Sequence, residues 1–505
     1  MPDHPANPAK KTLDRKVLDK DLDKFSYVED ASEHVSQRLV APGFGLIFLG
    51  MAMLFAGIYA FDRPDATLAI AAAALAGYMA MNIGAKDVAN NVGAAVGARA
   101  ITMTQALVMA AIFEVLGATI AGGPVVTTIS SHIIDTAQIA ASGRLGWLMM
   151  AALLSAAVWI NLATWLKAPV STTHAIVGAV MGAGIAALGP GLVNWRMMSF
   201  ISAGWVFTPV LGGTFAAGLL FLINTLIIYR DDKIAAARYW IPILIALMAG
   251  AFTAYLVVQI GPDGWFSDGT TILIGIVVGA LAWLAARPLV HGQSEGLENK
   301  NSALRTLFRL PLIGAAALMS FAHGANDVAN AIGPLAAIVR SGSYALLSGS
   351  DAPLWVVLIG AFGISVGILL YGPRLIRLIG EQITKLNPVR AYCVALSAAL
   401  TVIVASWFGL PVSSTHIAVG AVFGVGFFRE WYNRHSKRRA DYMRRRAQAW
   451  EIEEPVAIHN PDEVRRRRLV RRSHFMTIIA AWIVTVPASG TLAALTYWAM
   501  VALFV

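Results

Sequence analysis

Apolar residues fill this chain in long blocks rather than at amphipathic spacing, and polar residues gather between the blocks. Residues 1–40 are polar, with the sign-alternating stretch DRKVLDKDLDK at 14–24. They read as a soluble tail, partly helical at most. A secretory signal needs a basic start followed at once by an apolar core, whereas here the apolar run opens only after Arg38. That run, within residues 41–62, is long enough for one membrane-spanning helix, since about 20 apolar residues cross a bilayer. Comparable runs recur to the end of the chain, and about twelve transmembrane segments are expected. The pattern predicts an all-α polytopic membrane protein.

The interruptions carry the organisation. An apolar helix predicted from about Leu145 to Lys167 stops at Pro169, the sequence PVSTTH follows at 169–174, and a glycine-rich helix runs on to Gly189. Proline ends a helix, and Ser or Thr just beyond caps the next one. A re-entrant-like helical hairpin within the bilayer is expected. The same tip returns as PVSSTH at 411–416, an offset of 242. Ahead of each tip, GAKDVANNVG at 84–93 is matched by GANDVANAIG at 324–333, an offset of 240, and WVFTP at 205–209 pairs more weakly with WIVTVP at 482–487. Residues 66–229 and 310–505 are therefore two repeats, joined by connecting spans and a polar linker at 230–309. Duplicated segments broken at corresponding places are the mark of a secondary transporter with its site at the repeat interface, and inverted orientation is the expected arrangement.

Composition agrees: 57% of the 505 residues are hydrophobic and 13% charged, with a mean hydropathy of +0.65. The one cysteine, Cys393, excludes an intramolecular disulfide. The net charge of +10 is concentrated in a basic loop, 429–473, where RRR at 444–446 and RRRR at 465–468 stand out. Basic loops favour the cytoplasmic side, and a solvated face or anionic lipid is a better partner for this one than nucleic acid.

Against that background two ionisable side chains stand out. Asp87 and Asp327 lie inside apolar runs at matched positions, and an acid there is by default a functional candidate. Ser171, Thr172, Thr173 and Ser413, Ser414, Thr415 place six hydroxyls on the two tips, beside helix N-termini that favour anions. Capping explains one hydroxyl per tip, and the remainder suit a tetrahedral oxyanion. Two carboxylates at such a site need compensation, because like charges about 4 Å apart repel by about 4 kcal/mol even at an effective dielectric of 20. A cation or proton must accompany the anion, which points to a symporter. Asn90 and Asn330 follow the aspartates on the same helical face and could donate to the anion or coordinate a cation. His174 and His416 could relay protons or simply hold the tips in shape. Glu114 could serve a cation site, a relay or helix packing.

The paired GANDVANA and PVSSTH motifs resemble the inorganic phosphate transporter family, in its bacterial and plastid-type branch, over about residues 66–505. The resemblance implies an inverted-repeat fold with phosphate held between two hairpin tips. It implies phosphate contacts among Asp87, Asn90, Ser171, Thr172, Thr173, Asp327, Asn330, Ser413, Ser414 and Thr415. Gln105 and Glu114 match family residues in one helix and, with Lys86, Asn326, His174 and His416, are expected to serve the coupling ion or a proton relay. Two positions depart from the pattern: Lys86 stands where asparagine is expected, as Asn326 does in the second half, and Ala395 where animal relatives carry glutamate. Protons are therefore favoured over sodium, with Asp87 and Asp327 as the ligands if sodium is used. No other cofactor is expected, homo-oligomerisation is compatible with the sequence, and a bacterial inner membrane is the expected location. Sulfate symport and, more remotely, an intramembrane aspartyl protease built on Asp87 and Asp327 are the alternatives.

Overall fold

A computed structural model describes residues 40–61, 66–140, 142–166, 168, 170–261, 266–341, 352–380, 386–449 and 472–505. The predicted polar tail, and the part of the basic loop at 450–471, lie outside the described residues. The long helices are α1 (Val40–Ala60), α2 (Ala66–Gly97), α3 (Met103–Ala121), α4 (Leu145–Trp165), α5 (Thr172–Leu188) and α6 (Trp195–Ile223). They continue with α7 (Lys233–Ile260), α8 (Asp268–Ser294), α9 (Arg309–Ser341), α10 (Leu354–Gly380), α11 (Pro388–Trp407), α12 (Ser414–His435) and α13 (Arg472–Phe504). A helix satisfies its own backbone, which lipid cannot do, so an apolar block of this length has no other economical conformation. Side-chain caps mark where several begin: Asn194, Asp232 and Ser267 each accept from the backbone N–H three residues on.

The repeats interlock instead of packing side by side. Helix α2 of the first half lies against α10 of the second, and α9 of the second against α3 of the first. The tip helices are exchanged in the same way, α5 against α13 and α12 against α6. Backbone approach makes this possible. A methyl on Gly84 would fall on the carbonyl oxygen of Ile364, and one on Gly324 on that of Glu114. Small residues are what allow membrane helices to come this close.

Direction along these contacts establishes the inversion. Gly117 meets Phe321 and Ala325, Gly122 meets Val328, and Ile129, in the helical segment that continues α3, meets Gly333. Helix α3 thus runs parallel to α9. Because α3 doubles back on α2 through the short turn between Gly97 and Met103, α9 runs opposite to α2. The second half repeats the relation, with Gly363 at Ala80, Gly367 at Met81 and Gly372 at Val88.

Among the described residues ten helices are long and apolar enough to cross a membrane, or eleven when the bent pair ending in α9 is included, against the twelve or so expected. The difference lies in the tip helices. Helix α5 is only 17 residues long, and α12 ends in the polar run REWYNRH. Helices α7 and α8 form a lightly buried pair at the periphery, in contact with each other through Gly250, Gly275 and Gly279.

Replacing Gly324 with valine should overpack the α9–α3 contact and cost about 1–3 kcal/mol. The measurement is the unfolding midpoint of the detergent-purified protein, with Gly43→Val, which has nothing within 4 Å of its new methyl position, as the control. Equal midpoints for both variants would refute the close approach.

Candidate functional site

Each tip is built by local chemistry. Ser171 caps α5 by accepting from His174 N, and Ser413 caps α12 by accepting from His416 N, both at 3.2 Å. In the second tip Gly409 turns the chain at φ +65°, a conformation that suits glycine. The Pro411 carbonyl accepts from Trp205 Nε1 at 3.0 Å. The tips touch, with Thr173 Oγ1 donating to the Val412 carbonyl at 2.9 Å.

At their meeting point the two aspartates are held reciprocally. Asp87 accepts from Thr172 of the first tip at 3.1 Å and from Thr415 of the second at 3.0 Å. Asp327 accepts from Ser414 of the second tip at 2.9 Å, and Thr173 of the first lies 3.5 Å away. The asparagines complete the pattern: Asn90 donates to Thr415 and Asn330 to Thr173, at 3.0 and 3.1 Å. Asp87 is 1% exposed and Asp327 is fully buried. Asp87 thus draws hydroxyl donors from both hairpins, and Asp327 draws one from its own, with Thr173 of the other at the limit of hydrogen-bonding reach.

A second set of groups breaks this symmetry. His323, one helical turn before Asp327 on α9, places Nε2 2.8 Å from Asp327 Oδ2 and 4.0 Å from Asp87 Oδ2. Its Nδ1 lies 2.6 Å from Glu114 Oε1, which also accepts from Asn91 Nδ2 at 2.6 Å. His323 and Glu114 are both fully buried. The sequence reading missed His323; the signal was an i,i+4 pair with Asp327 at the position where the first repeat carries Ile83. Neutral imidazole carries one N–H. With a carboxylate at each ring nitrogen, the cluster has a natural place for a mobile proton. Asp87, His323 and Asp327 also present three ligand atoms within 4.8 Å of one another.

The remaining candidates fall into other roles. Gln105 is exposed at the start of α3, where its Oε1 accepts from Thr102 N and Oγ1 to form a capping box, so it takes no part in the buried cluster. His174 and His416 reach no carboxylate. Their rings meet edge-on at 4.5 Å and pack on Trp205 and Trp482 at 3.9 and 3.8 Å, the packed alternative. Asn326 pins the second tip: it donates to Ser406 Oγ and the Leu410 carbonyl and accepts from Val412 N. Lys86 donates to the Val170 carbonyl of the first tip, so the ammonium replaces part of what the asparagine does in the other half. Ala395 is buried in α11.

Comparison with known proteins agrees with this geometry. The phosphate transporter family matches residues 83–493, which includes both motifs and both tips. The chain belongs to that family. A Helicobacter pylori (strain J99) protein named "Putative phosphate permease" is 41% identical over 518 residues, covering 94% of this chain and 97% of its own. A Chlamydia trachomatis (serovar D) protein of the same name is 37% identical over 374 residues, covering 70% and 88%. A solved structure titled "The sodium-dependent phosphate transporter" superposes with a TM-score of 0.74 at 32% identity, covering 87% of this chain and all of that one.

Gln105→Ala is expected to cost about 0.5–2 kcal/mol of stability, as loss of a cap does, and to leave phosphate uptake unchanged. Uptake assayed beside the unfolding midpoint checks this, and lost uptake in a stable variant would return Gln105 to the site.

Proposed function

We propose that the protein moves inorganic phosphate across the bacterial inner membrane together with protons, by alternating access between the two hairpins. The observation that carries this reading is the reciprocal bonding of Asp87 and Asp327 to hydroxyls of both tips. Hydroxyls that donate to a carboxylate can turn to donate to a phosphate oxygen, provided the carboxylate acquires a proton or a cation in their place. Phosphate would then lie among Asp87, Asn90, Ser171, Thr172, Thr173, Asp327, Asn330, Ser413, Ser414 and Thr415. Among the described residues the three acids Asp87, Asp327 and Glu114 face Lys86 and His323 as nearby bases. Even with both bases charged, an arriving phosphate adds negative charge to a buried site, and electroneutrality requires a companion.

Proton coupling is supported by His323, which bridges Glu114 and Asp327 and offers nitrogen, a poor ligand for a hard monovalent cation. Lys86 places a second basic side chain at the same depth. Sodium coupling is the second reading, favoured by the name of the superposed transporter. Phosphate is preferred over sulfate because phosphate carries a proton at neutral pH that the acids can exchange. A protease dyad would leave the tip hydroxyls without a task.

Radiolabelled phosphate uptake into proteoliposomes, under a proton or a sodium gradient imposed alone, tests both readings. Uptake driven by the proton gradient is expected; uptake driven by sodium alone would replace the first reading with the second. Asp87→Asn and Asp327→Asn should each abolish accumulation, and Thr172→Val should raise KM by about tenfold, the value of one hydrogen bond to a charged group. Lys86→Asn should shift the ion dependence. Accumulation by the double aspartate variant would end the symport reading altogether.

A further inference from the structure

Away from the hairpin tips, two adjoining cavities open at the membrane face that bears the basic loop. The first, of about 310 Å³, is lined by Arg305, Arg390, Arg429 and Arg439 together with Tyr229 and Tyr442. The second, of about 330 Å³, is lined by Arg99, Arg305, Arg309 and Arg390, so the two share Arg305 and Arg390. No Asp or Glu lines either one among the described residues. Arg305, Arg390 and Arg429 have no carboxylate partner among the described residues either, and Arg439 Nη1 donates to the Asn433 carbonyl at 3.0 Å. Arg390 sits in the first turn of α11, beside the Asn387 cap, where backbone N–H groups add further positive potential.

Six guanidinium groups around two neighbouring cavities repel each other, and no carboxylate among the described lining residues offsets them. The arginines come from separate elements: the turn after α2, the connector into α9, the start of α11, the end of α12 and the basic helix Lys437–Ala449. That helix is fastened over the first cavity by Tyr442, whose hydroxyl accepts from Lys233 Nζ at 2.8 Å, and by Arg445 at 3.5 Å from Asp231. A solvated basic face needs no enclosure and no such fastening. Arginine's fork matches phosphate oxygens in a two-point contact, and each cavity is large enough for a compact phosphate-bearing anion.

We propose that this basic vestibule is a second anion site, distinct from the transport site, that takes a compact phosphate-bearing anion on the cytoplasmic side. Its side follows from the basic Lys437–Ala449 helix fastened over it. The ligand ties the base of the second hairpin, through Arg390 on α11 and Arg429 on α12, to the Lys437–Ala449 helix. Occupancy therefore restrains the hairpin whose far end holds Ser414 and Thr415. A soluble diphosphate and a phospholipid headgroup share this chemistry.

The test is calorimetric titration of pyrophosphate into the full-length protein in phosphatidylcholine nanodiscs, in the wild type and in Asp87→Asn. Binding is expected in both, because the vestibule does not depend on the transport site. The Arg305→Gln/Arg390→Gln double variant should bind at least about tenfold more weakly, a loss of about 1.4 kcal/mol. Arg305→Lys/Arg390→Lys, which keeps the charge and removes the fork, should fall between the two and serves if the first variant does not fold. Repeating the titration in nanodiscs containing phosphatidylglycerol separates the sources: blocked binding assigns the site to a lipid headgroup, unaffected binding to a soluble anion. Absence of pyrophosphate binding in phosphatidylcholine, or equal affinity in folded wild type and both double variants, overturns the proposal.

Discussion

A carboxylate placed in the hydrocarbon layer is tolerable only if donors reach it, because no water is there to do so. Here the donors for each aspartate come from two hairpins that belong to different halves of the chain. Asp87 draws on Thr172 and Thr415, and Asp327 on Ser414 with Thr173 beside it. Asp87 in particular takes one of its two hydroxyl donors from the other half. The exchange of helices between the repeats, and the glycine contacts that let the backbones approach, follow as the geometry that brings the two tips within hydrogen-bonding reach. The same dependence explains how a movement of either hairpin would be felt at both carboxylates.

The site divides into a symmetric part and an asymmetric one. The hydroxyls, the aspartates and Asn90 with Asn330 obey the two-fold relation between the halves. His323, Glu114 and Lys86 do not: their counterparts are Ile83, Ile364 and Asn326. A tetrahedral anion presents equivalent oxygens and is served equally well by two matching half-sites. The buried ionisable side chains of His323, Glu114 and Lys86 have no ionisable counterpart in the other half. Duplication accounts for the first property, and divergence between the copies for the second.

Outside the bilayer core the charge pattern reverses. Acids with few bases occupy the centre, while at the loop-bearing face arginines line two open cavities with no carboxylate among the described lining residues.

Much of this was legible in the residues alone, wherever the interaction is local or repeats along the chain. Apolar blocks define helices because backbone groups in lipid have to pair within their own segment. The proline breaks with Ser171 and Ser413 mark caps because capping acts over three residues. The repeats were visible because both copies kept their motifs in register. What no local rule contained was which helices meet, and at what depth and rotation. That decided that Gln105 caps α3 at an exposed end, that His174 and His416 pack against tryptophans, and that His323, unremarkable in an apolar run, lies between three carboxylates. These contacts join positions up to hundreds of residues apart, and only the close backbone approach at Gly84 and Gly324 sets the distances over which a proton or a hydroxyl can act.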